Sequence, residues 1–341
     1  MGVAPPGLPR LLLDQAGACA ANGSPMYAAL LERAAADCAA GGVVADLLAP
    51  WAGAGVGDAV PLRFTGALHR LVLERRAPEL ALHYPSVGGS AADPDGLWDA
   101  VRRLLAARGD EVAPLLDSVP QTNEVGRAAA LAGVLRHLAA RGERRVRLVE
   151  LGASAGLNLL VDRFRVTGAG QPWGPEGSPV VLADAWAGDA PPAGQVEVVD
   201  RLGVDLAPVD ATSPQGRLLL TAYVWADQVT RFERLRAALE LARRDPPRVV
   251  RGSAADLLDA LEPDASAITV VWHSVFWQYV APGEQQRLRE RVDALLRRDA
   301  LLTPASRREP ATRAPGAGST SSWSTAVGGR CSAPRPLTAC P

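Results

Sequence analysis

The segment from Val146 to Asn158 constrains the fold of this chain more than any other. An apolar run ends in an acid, Glu150, and a leucine, and two glycines, Gly152 and Gly156, follow before a helical pattern begins. In α/β proteins, this succession of strand, tight turn and helix presents main-chain N–H groups to a small ligand at the end of a strand. The segment therefore predicts a parallel sheet with a cofactor site at the mouth of its first strand.

The spacing of these glycines favours one class of cofactor. The dinucleotide fingerprint G-x-G-x-x-G would place its third glycine where this chain has a leucine, so the spacing departs from that of a nicotinamide site. The pattern Glu150-x-Gly152-x-Ser154-x-Gly156 instead resembles the first motif of S-adenosylmethionine (SAM) methyltransferases. There Glu150 would accept a hydrogen bond from the cofactor ammonium and Asn158 would offer its amide. Small residues in the turn would let the cofactor approach the main chain.

Composition excludes several other classes of protein. The chain has 341 residues, a net charge of −1 and 48% hydrophobic residues, which are typical of a globular enzyme. This balance offers no electrostatic reason to bind nucleic acid or an anionic membrane. The four cysteines lack C-x-x-C spacing, so neither a metal site nor a disulfide framework is expected. With no signal peptide or membrane-spanning run, we expect a cytoplasmic protein with a small-molecule substrate.

Hydrophobic periodicity divides the chain into three parts. We expect a helical N-terminal domain over residues 1–142 and a Rossmann-like α/β domain of the SAM-methyltransferase type, with a parallel sheet, over residues 143–302. The strands of that sheet are expected at Val146–Leu151, Val196–Val199, Arg248–Arg251 and Ile268–Trp272. Helices are expected at Asn123–Ala140, Leu157–Phe164, Val229–Arg243 and Pro282–Leu296.

The third part, residues 303–341, lacks periodicity and is rich in Ser, Thr, Pro, Arg and Gly. It is either a disordered tail or the product of a reading-frame error. We favour the second, because GC-rich codons for Thr320 to Pro341 can encode a strand, a basic turn and a second strand in another frame. Our hypothesis is a frameshift between about Leu301 and Thr320, and an unbroken frame on resequencing would contradict it.

Two later segments could complete the cofactor site. Asp205 stands where methyltransferases place the acid that binds both ribose hydroxyls, a geometry that charge-assisted hydrogen bonds favour, although Asp200 and Asp210 compete for the role. Ser253 follows a predicted strand and could face the adenine, or it could simply cap a helix. Ser253 departs from the methyltransferase pattern, which has an aspartate there.

Candidate substrate-facing residues lie elsewhere in the chain. His273 ends an apolar strand and could be a general base, although a buried histidine in an aromatic cluster is an equal alternative. The residues that could line a substrate pocket are Asn123, Glu124, Arg127, Asp227, Trp272 and Tyr279. Asn123 and Asp227 could equally be helix caps.

A rival interpretation comes from the same turn. Gly152-x-Ser154-x-Gly156 matches the G-x-S-x-G nucleophile elbow of serine hydrolases, and Asp256 and His273 follow in the expected order. Against it, no oxyanion-hole segment lies upstream. A non-catalytic binding protein with the same fold is the third alternative. We expect SAM-dependent methyl transfer to a small or medium substrate, since that chemistry needs mainly positioning and at most one base.

Several motifs together point to one family. They are the segments Val149–Leu159, Asp162–Phe164, Gln121–Arg127, Gly203–Pro208, Trp225–Gln228, Trp272–Ser274 and Gln278–Tyr279. Their sequences resemble domain of unknown function 2332 (DUF2332), an uncharacterised family mostly of actinobacteria and proteobacteria. The resemblance covers roughly Leu11 to Pro310 and implies no measured activity. The final segment of the family is similar to the sequence that the other reading frame of Thr320 to Pro341 would encode. The tail of this chain departs from that family pattern.

Overall fold

The computed structural model describes residues 7–186, 189, 191–262, 264–296 and 301–304. The tail expected from residue 303 lies outside the described residues, apart from Thr303 and Pro304. The chain divides into two compact units. One, the helical unit, contains Met1–Gly126, Gly177–Val181 and Val209–Pro246. The other, the sheet unit, contains Arg127–Glu176, Leu182–Pro208 and Pro247–Pro341.

The helical unit is built on leucine and alanine repeating at helical spacing, which buries one face of each helix. Leu12, Leu31 and Leu68 are wholly buried in its core, beside Phe64 and Tyr27. Its first helices are α1 (Leu8–Ala21), α2 (Pro25–Ala39), α3 (Val43–Leu48), α4 (Val60–Leu73), α5 (Pro78–Ala81) and α6 (Pro94–Val112).

Two later helices of the chain, α8 (Pro214–Ala222) and α9 (Val229–Arg244), belong to the same helical unit. The helix between α6 and α8, α7 (Ala128–Ala140), belongs to the sheet unit. Buried His69 of α4 lies 3.2 Å from the carbonyl oxygen of Ala222, and the hydroxyl of Tyr223 donates to the carbonyl of Ser118 over 2.7 Å. These bonds satisfy buried polar groups and join the later segment to α4.

The sheet unit contains a five-stranded sheet in which every pair of neighbouring strands is parallel. Its order is β5 (Val249–Arg251), β4 (Glu197–Asp205), β1 (Arg145–Leu151), β6 (Ile268–His273) and β7 (Leu301–Pro304). Two short strands, β2 (Arg165–Val166) and β3 (Val181–Leu182), stand outside it. Because the chain moves outward from β1 to β5 and then crosses to β6, the strand order reverses beside β1.

Both faces of this sheet are covered. Val149, Leu151, Val204 and Val271 pack on α10 (Ala254–Asp259) and α11 (Pro282–Leu296). The opposite face packs on the segment Leu157–Arg163, which contacts β1, β4 and α7. Coverage on two faces explains why nearly every residue of the central strand from Val146 onward is buried, on whichever face it lies.

The structure confirms a mixed α/β fold with a parallel sheet, and it corrects three expected elements. The segment predicted as helix Leu157–Phe164 is a 3₁₀ helix, Leu157–Arg163, with a non-helical break at Leu160. Strand β4 runs on to Asp205, well past the predicted end at Val199. Helix α7 begins at Ala128 instead of Asn123, and a 3₁₀ turn precedes it. Polar spacing alone did not reveal where that helix starts.

Arg136 of α7 holds the Gly- and Pro-rich segment that precedes β4. The side chain is 2% exposed; its Nε donates to the carbonyl of Pro192 at 2.7 Å and its Nη1 to that of Gln171 at 3.1 Å. The guanidinium also lies over the ring of Trp186. A segment with little regular structure is thus bound to the helix by a buried cation.

Among the described residues, no single helix has the length and apolar content to cross a membrane. One bent pair, Val43–Trp51 with Val56–Leu73, meets those two criteria jointly.

Replacing Arg136 with methionine keeps the apolar stem and removes the donors. We expect a loss of about 1–3 kcal/mol in the free energy of unfolding, because two buried carbonyl groups lose their partner. We also expect faster chymotrypsin cleavage after Trp173 or Trp186. Arg141→Met, at an exposed position just after the same helix, is the matched control. Equal cleavage rates in the two variants would show that Arg136 does not hold the segment.

Candidate functional site

The predicted cofactor residues gather at the carboxyl end of β1 in the sheet unit. Glu150 is paired with Trp272 of β6 on one side and with Gly203 of β4 on the other. Residues paired across parallel strands share a face, so the side chains of Glu150 and Trp272 lie on the same face of the sheet. Asn158, which follows the turn after β1, contacts Glu150.

Glu150 is the most unusual group in this cluster. Its carboxyl is 1% exposed, and its Oε1 accepts one long hydrogen bond, 3.5 Å, from Asn158 Nδ2. Among the described residues, no hydrogen-bond partner faces its buried Oε2, nor the buried Asn158 Oδ1 and Trp272 Nε1. Buried polar atoms are almost always paired, and leaving one unpaired costs about 1–3 kcal/mol. Three of them on one face mark a place that can take a polar ligand.

The charge of Glu150 follows from this environment. Burial raises the pKa of its carboxyl to about 8, while the hydrogen bond from Asn158 and the nearby Arg127 lower it. Burial in turn lowers the pKa of the Arg127 guanidinium, against the attraction of Glu150 and Tyr279. Arg127 is half-buried and Tyr279 is exposed. Of the predicted site residues, these two and Trp272 therefore belong to the same cluster as Glu150.

The turn after β1 needs glycine for two separate reasons. Gly152 has φ of +69° and Gly156 has φ of +70°, in the left-handed region that glycine tolerates best. A Cβ on Gly152 would lie 2.5 Å from Cδ2 of Phe276, and a Cβ on Gly156 would lie 2.7 Å from Cγ2 of Val249. Packing against neighbouring side chains thus accounts for both glycines before any cofactor is considered.

Ser154 is a non-glycine residue with positive φ, +53°, in the middle of this turn. Its main-chain N–H donates to Oδ2 of Asp205 at 2.8 Å, and Ala207 N–H donates to Oδ1 at 2.9 Å. Asp205 therefore stands at the end of β4, the strand beside β1, with each carboxylate oxygen bonded to one main-chain donor. Each oxygen keeps a second lone pair for a further donor.

Ser253 caps α10. Its Oγ accepts from the N–H groups of Ala255 and Asp256 and donates to Oε1 of Glu284 at 2.7 Å. The capping alternative therefore describes what this hydroxyl does here.

His273 closes β6 among aromatic side chains. Its ring stacks on Trp277 at 5.9 Å between centroids and is tilted against Phe276 at 5.7 Å. Burial lowers the pKa of His273 to about 4, so the imidazole is neutral at pH 7. Its Nδ1 is buried without a partner. By strand pairing it lies beside Leu151, on the face opposite Glu150.

The remaining predicted residues belong to the helical unit. Asp227 accepts hydrogen bonds from Ser24 Oγ at 2.6 Å and from Met26 N–H at 3.0 Å, so it caps α2. Glu124 is ion-paired with Arg231 and Arg234 of α9, and Asn123 is buried beside it in a small cleft.

Sequence reasoning missed two contributors, Arg231 and Arg234, which meet Glu124. Their spacing of one helical turn was the available signal, but it is equally typical of a solvated helix face. Within the described ranges, no three His, Cys, Asp or Glu side chains are grouped to hold a metal ion.

The raised pKa of Glu150 makes stability depend on pH. The folded protein keeps a proton up to about pH 8 that the unfolded chain loses near its ordinary pKa of 4.5. Stability therefore falls as pH rises between these values. For Glu150→Gln, we expect a melting temperature a few degrees above that of the parent protein at pH 8.5, with a smaller difference at pH 5.5. Glu197→Gln, an exposed change on β4, is the control. A pH-independent difference would mean that Glu150 is charged throughout.

Comparison with known proteins gives the chain a family. No curated protein and no solved structure matches it. A family match covers residues 10–325, which confirms the resemblance noted in the motifs. The chain therefore belongs to DUF2332, the family described as "uncharacterized protein conserved in bacteria".

Proposed function

We propose that the protein binds SAM at the carboxyl end of β1 and transfers its methyl group to a small or medium molecule. The observation that carries the proposal is Glu150, a buried carboxyl whose Oε2 has no hydrogen-bond partner in the part of the chain that the structure describes. An ammonium group is the ligand that such an oxygen attracts most strongly, since it brings both charge and donors. The methionine part of SAM carries one.

The strand order supports a ligand at this position. Open parallel sheets bind ligands outside the carboxyl ends of their strands, where the strand order reverses. In this sheet the reversal lies beside β1, where Glu150, Asp205 and His273 are found. The order β5-β4-β1-β6-β7 corresponds to that of Rossmann-like sheets, and we infer from it that the sheet is Rossmann-like.

The residues present fit the proposed cofactor in part. Glu150 and Asn158 would hold its ammonium end, and the free lone pairs of Asp205 would accept from the ribose hydroxyls. Ser253, whose hydroxyl is engaged in capping and with Glu284, would not read the adenine. Phe276, which lies against Gly152, would bound the cofactor on one side. Bound SAM supplies a methyl group on a positively charged sulfur.

The chain's own part in the reaction is positioning and, for an acceptor that must lose a proton, a base. His273 lies at the same carboxyl edge of the sheet as Glu150, on the other face. It is neutral at pH 7 and its Nδ1 has no partner among the described residues, so it can accept a proton from an acceptor bound at that edge. Trp277 and Phe276 beside it exclude water from the acceptor. We therefore expect an acceptor with an apolar body and a polar group to be methylated.

Binding of S-adenosylhomocysteine (SAH) should release a proton. At pH 7 Glu150 is mostly protonated, and an ammonium bound to it favours the charged form. Calorimetry in buffers of different ionisation enthalpy should show release of about one proton for the parent protein and almost none for Glu150→Gln. Glu197→Gln should behave like the parent.

Two outcomes of this experiment separate the parts of the proposal. If the parent protein binds no SAH at millimolar concentration, the proposal fails. If it binds without proton release, the cofactor site stands and the ammonium lies elsewhere. Gly152→Ala should weaken binding by displacing Phe276, whereas Gly142→Ala, with similar φ and no neighbour within 4 Å, should not.

A hydrolase remains the second candidate because Ser154 has the positive φ expected of a nucleophile elbow. Labelling of Ser154 by a fluorophosphonate probe would favour it. Asp256, the acid in that interpretation, is exposed and ion-paired with Arg287 at 2.9 Å, which leaves His273 without its expected partner. SAH binding without labelling would exclude this candidate.

A further inference from the structure

A second polar site lies wholly within the helical unit. We call it the arginine cleft. It opens to solvent, and its internal volume of about 10 Å³ has room for about one water molecule. Its polar lining consists of Thr122, Asn123, Glu124 and Arg231, and the rest of its wall is aliphatic, including Leu235 of α9. Arg234 lies one turn after Arg231 on the same helix and reaches Glu124 from beside the cleft.

Positive charge is in excess here. Glu124 accepts from Arg231 Nε, from Arg234 Nη1 at 3.2 Å and from the N–H of Gly126 at 2.9 Å. One carboxylate therefore faces two guanidinium groups. The side chains of Arg231 and Arg234 are 23% and 25% exposed, so water screens them much less than it screens a surface pair.

The helix adds to this excess. Arg231 lies in the first turn of α9, where the helix dipole is positive and anions, not cations, are stabilised. That turn contains no acidic residue, and no side chain caps it. A cation held at this end of a helix is unfavourable unless an anion lies close by.

The surroundings of the two arginines also lower their pKa values. Burial and the proximity of Arg234 lower the pKa of Arg231 to about 10, and burial lowers that of Arg234. Within the described residues, the buried Nε of Arg234 has no hydrogen-bond partner. Arg231 is oriented by Gln228, which accepts from its Nη1 at 2.8 Å, and by the ring of Trp225. The cleft is thus cationic, and the guanidinium beside it is incompletely paired.

We propose that the arginine cleft binds a small oxyanion, namely the carboxylate or phosphate group of a small molecule. Guanidinium groups match both kinds of oxyanion in geometry and charge. Thr122 provides a hydroxyl at the same opening. The proposal does not depend on SAM binding, and the two can fail separately.

Inorganic phosphate and acetate are the probes, each titrated at constant ionic strength maintained with sodium chloride. We expect at least one of them to raise the melting temperature of the full-length protein saturably and to give a calorimetric isotherm. Arg231→Gln and Arg234→Gln should each weaken binding about tenfold, the usual effect of losing a charge-assisted hydrogen bond. Arg243→Gln, exposed on the same helix and paired with Glu240, should leave the affinity unchanged.

Glu124→Gln provides a test in the opposite direction. It removes the one carboxylate that competes with the ligand for the arginines, so binding should become several-fold tighter. This variant decides the matter if either arginine variant fails to fold. Binding of phosphate alone or of acetate alone supports the proposal and identifies the group. Saturable binding of neither probe, an equal loss in Arg243→Gln, or weaker binding in Glu124→Gln would overturn it.

Discussion

Glu150 places a carboxyl group in the buried interior of the sheet, and the cost of burying it is the constraint on which the candidate site depends. The strand cannot avoid that cost by moving Glu150 to a surface, because both faces of β1 are covered and its two neighbours are paired in register. The carboxyl must either keep a proton or meet a cation. In both cases, packing alone does not explain why an ionisable side chain stands at this position.

The need for a proton or a cation distinguishes Glu150 from the two glycines in the turn that follows it. Gly152 and Gly156 are sufficiently explained by positive φ and by contact with Phe276 and Val249. They are compatible with a cofactor, but they would be needed without one. The unpaired oxygen of Glu150 has no such structural explanation, so the case for a ligand rests on it and on the reversal of strand order beside β1.

Much of the fold could be predicted because its signals are local. Strand β1, strand β6 and helices α9 and α11 were predicted closely, since each is a long periodic or apolar run bounded by turn residues. The start of α7, the 3₁₀ character of Leu157–Arg163 and the full length of β4 were not. In each case a partner distant in sequence decides the local conformation, and no window of residues contains that partner.

The same division holds for the functional residues. The sequence by itself determined that an acid and a small-residue turn would stand at the end of a parallel strand, and it left Asp200, Asp205 and Asp210 as candidates for a second acid at the same edge, because strand polarity brings such ends together. Only the tertiary structure decided what surrounds them: that Glu150 is buried with one oxygen unpaired, that Ser253 and Asp227 are caps, and that two arginines share Glu124. Burial and pairing depend on atoms from remote parts of the chain, so they exist only once the chain has folded.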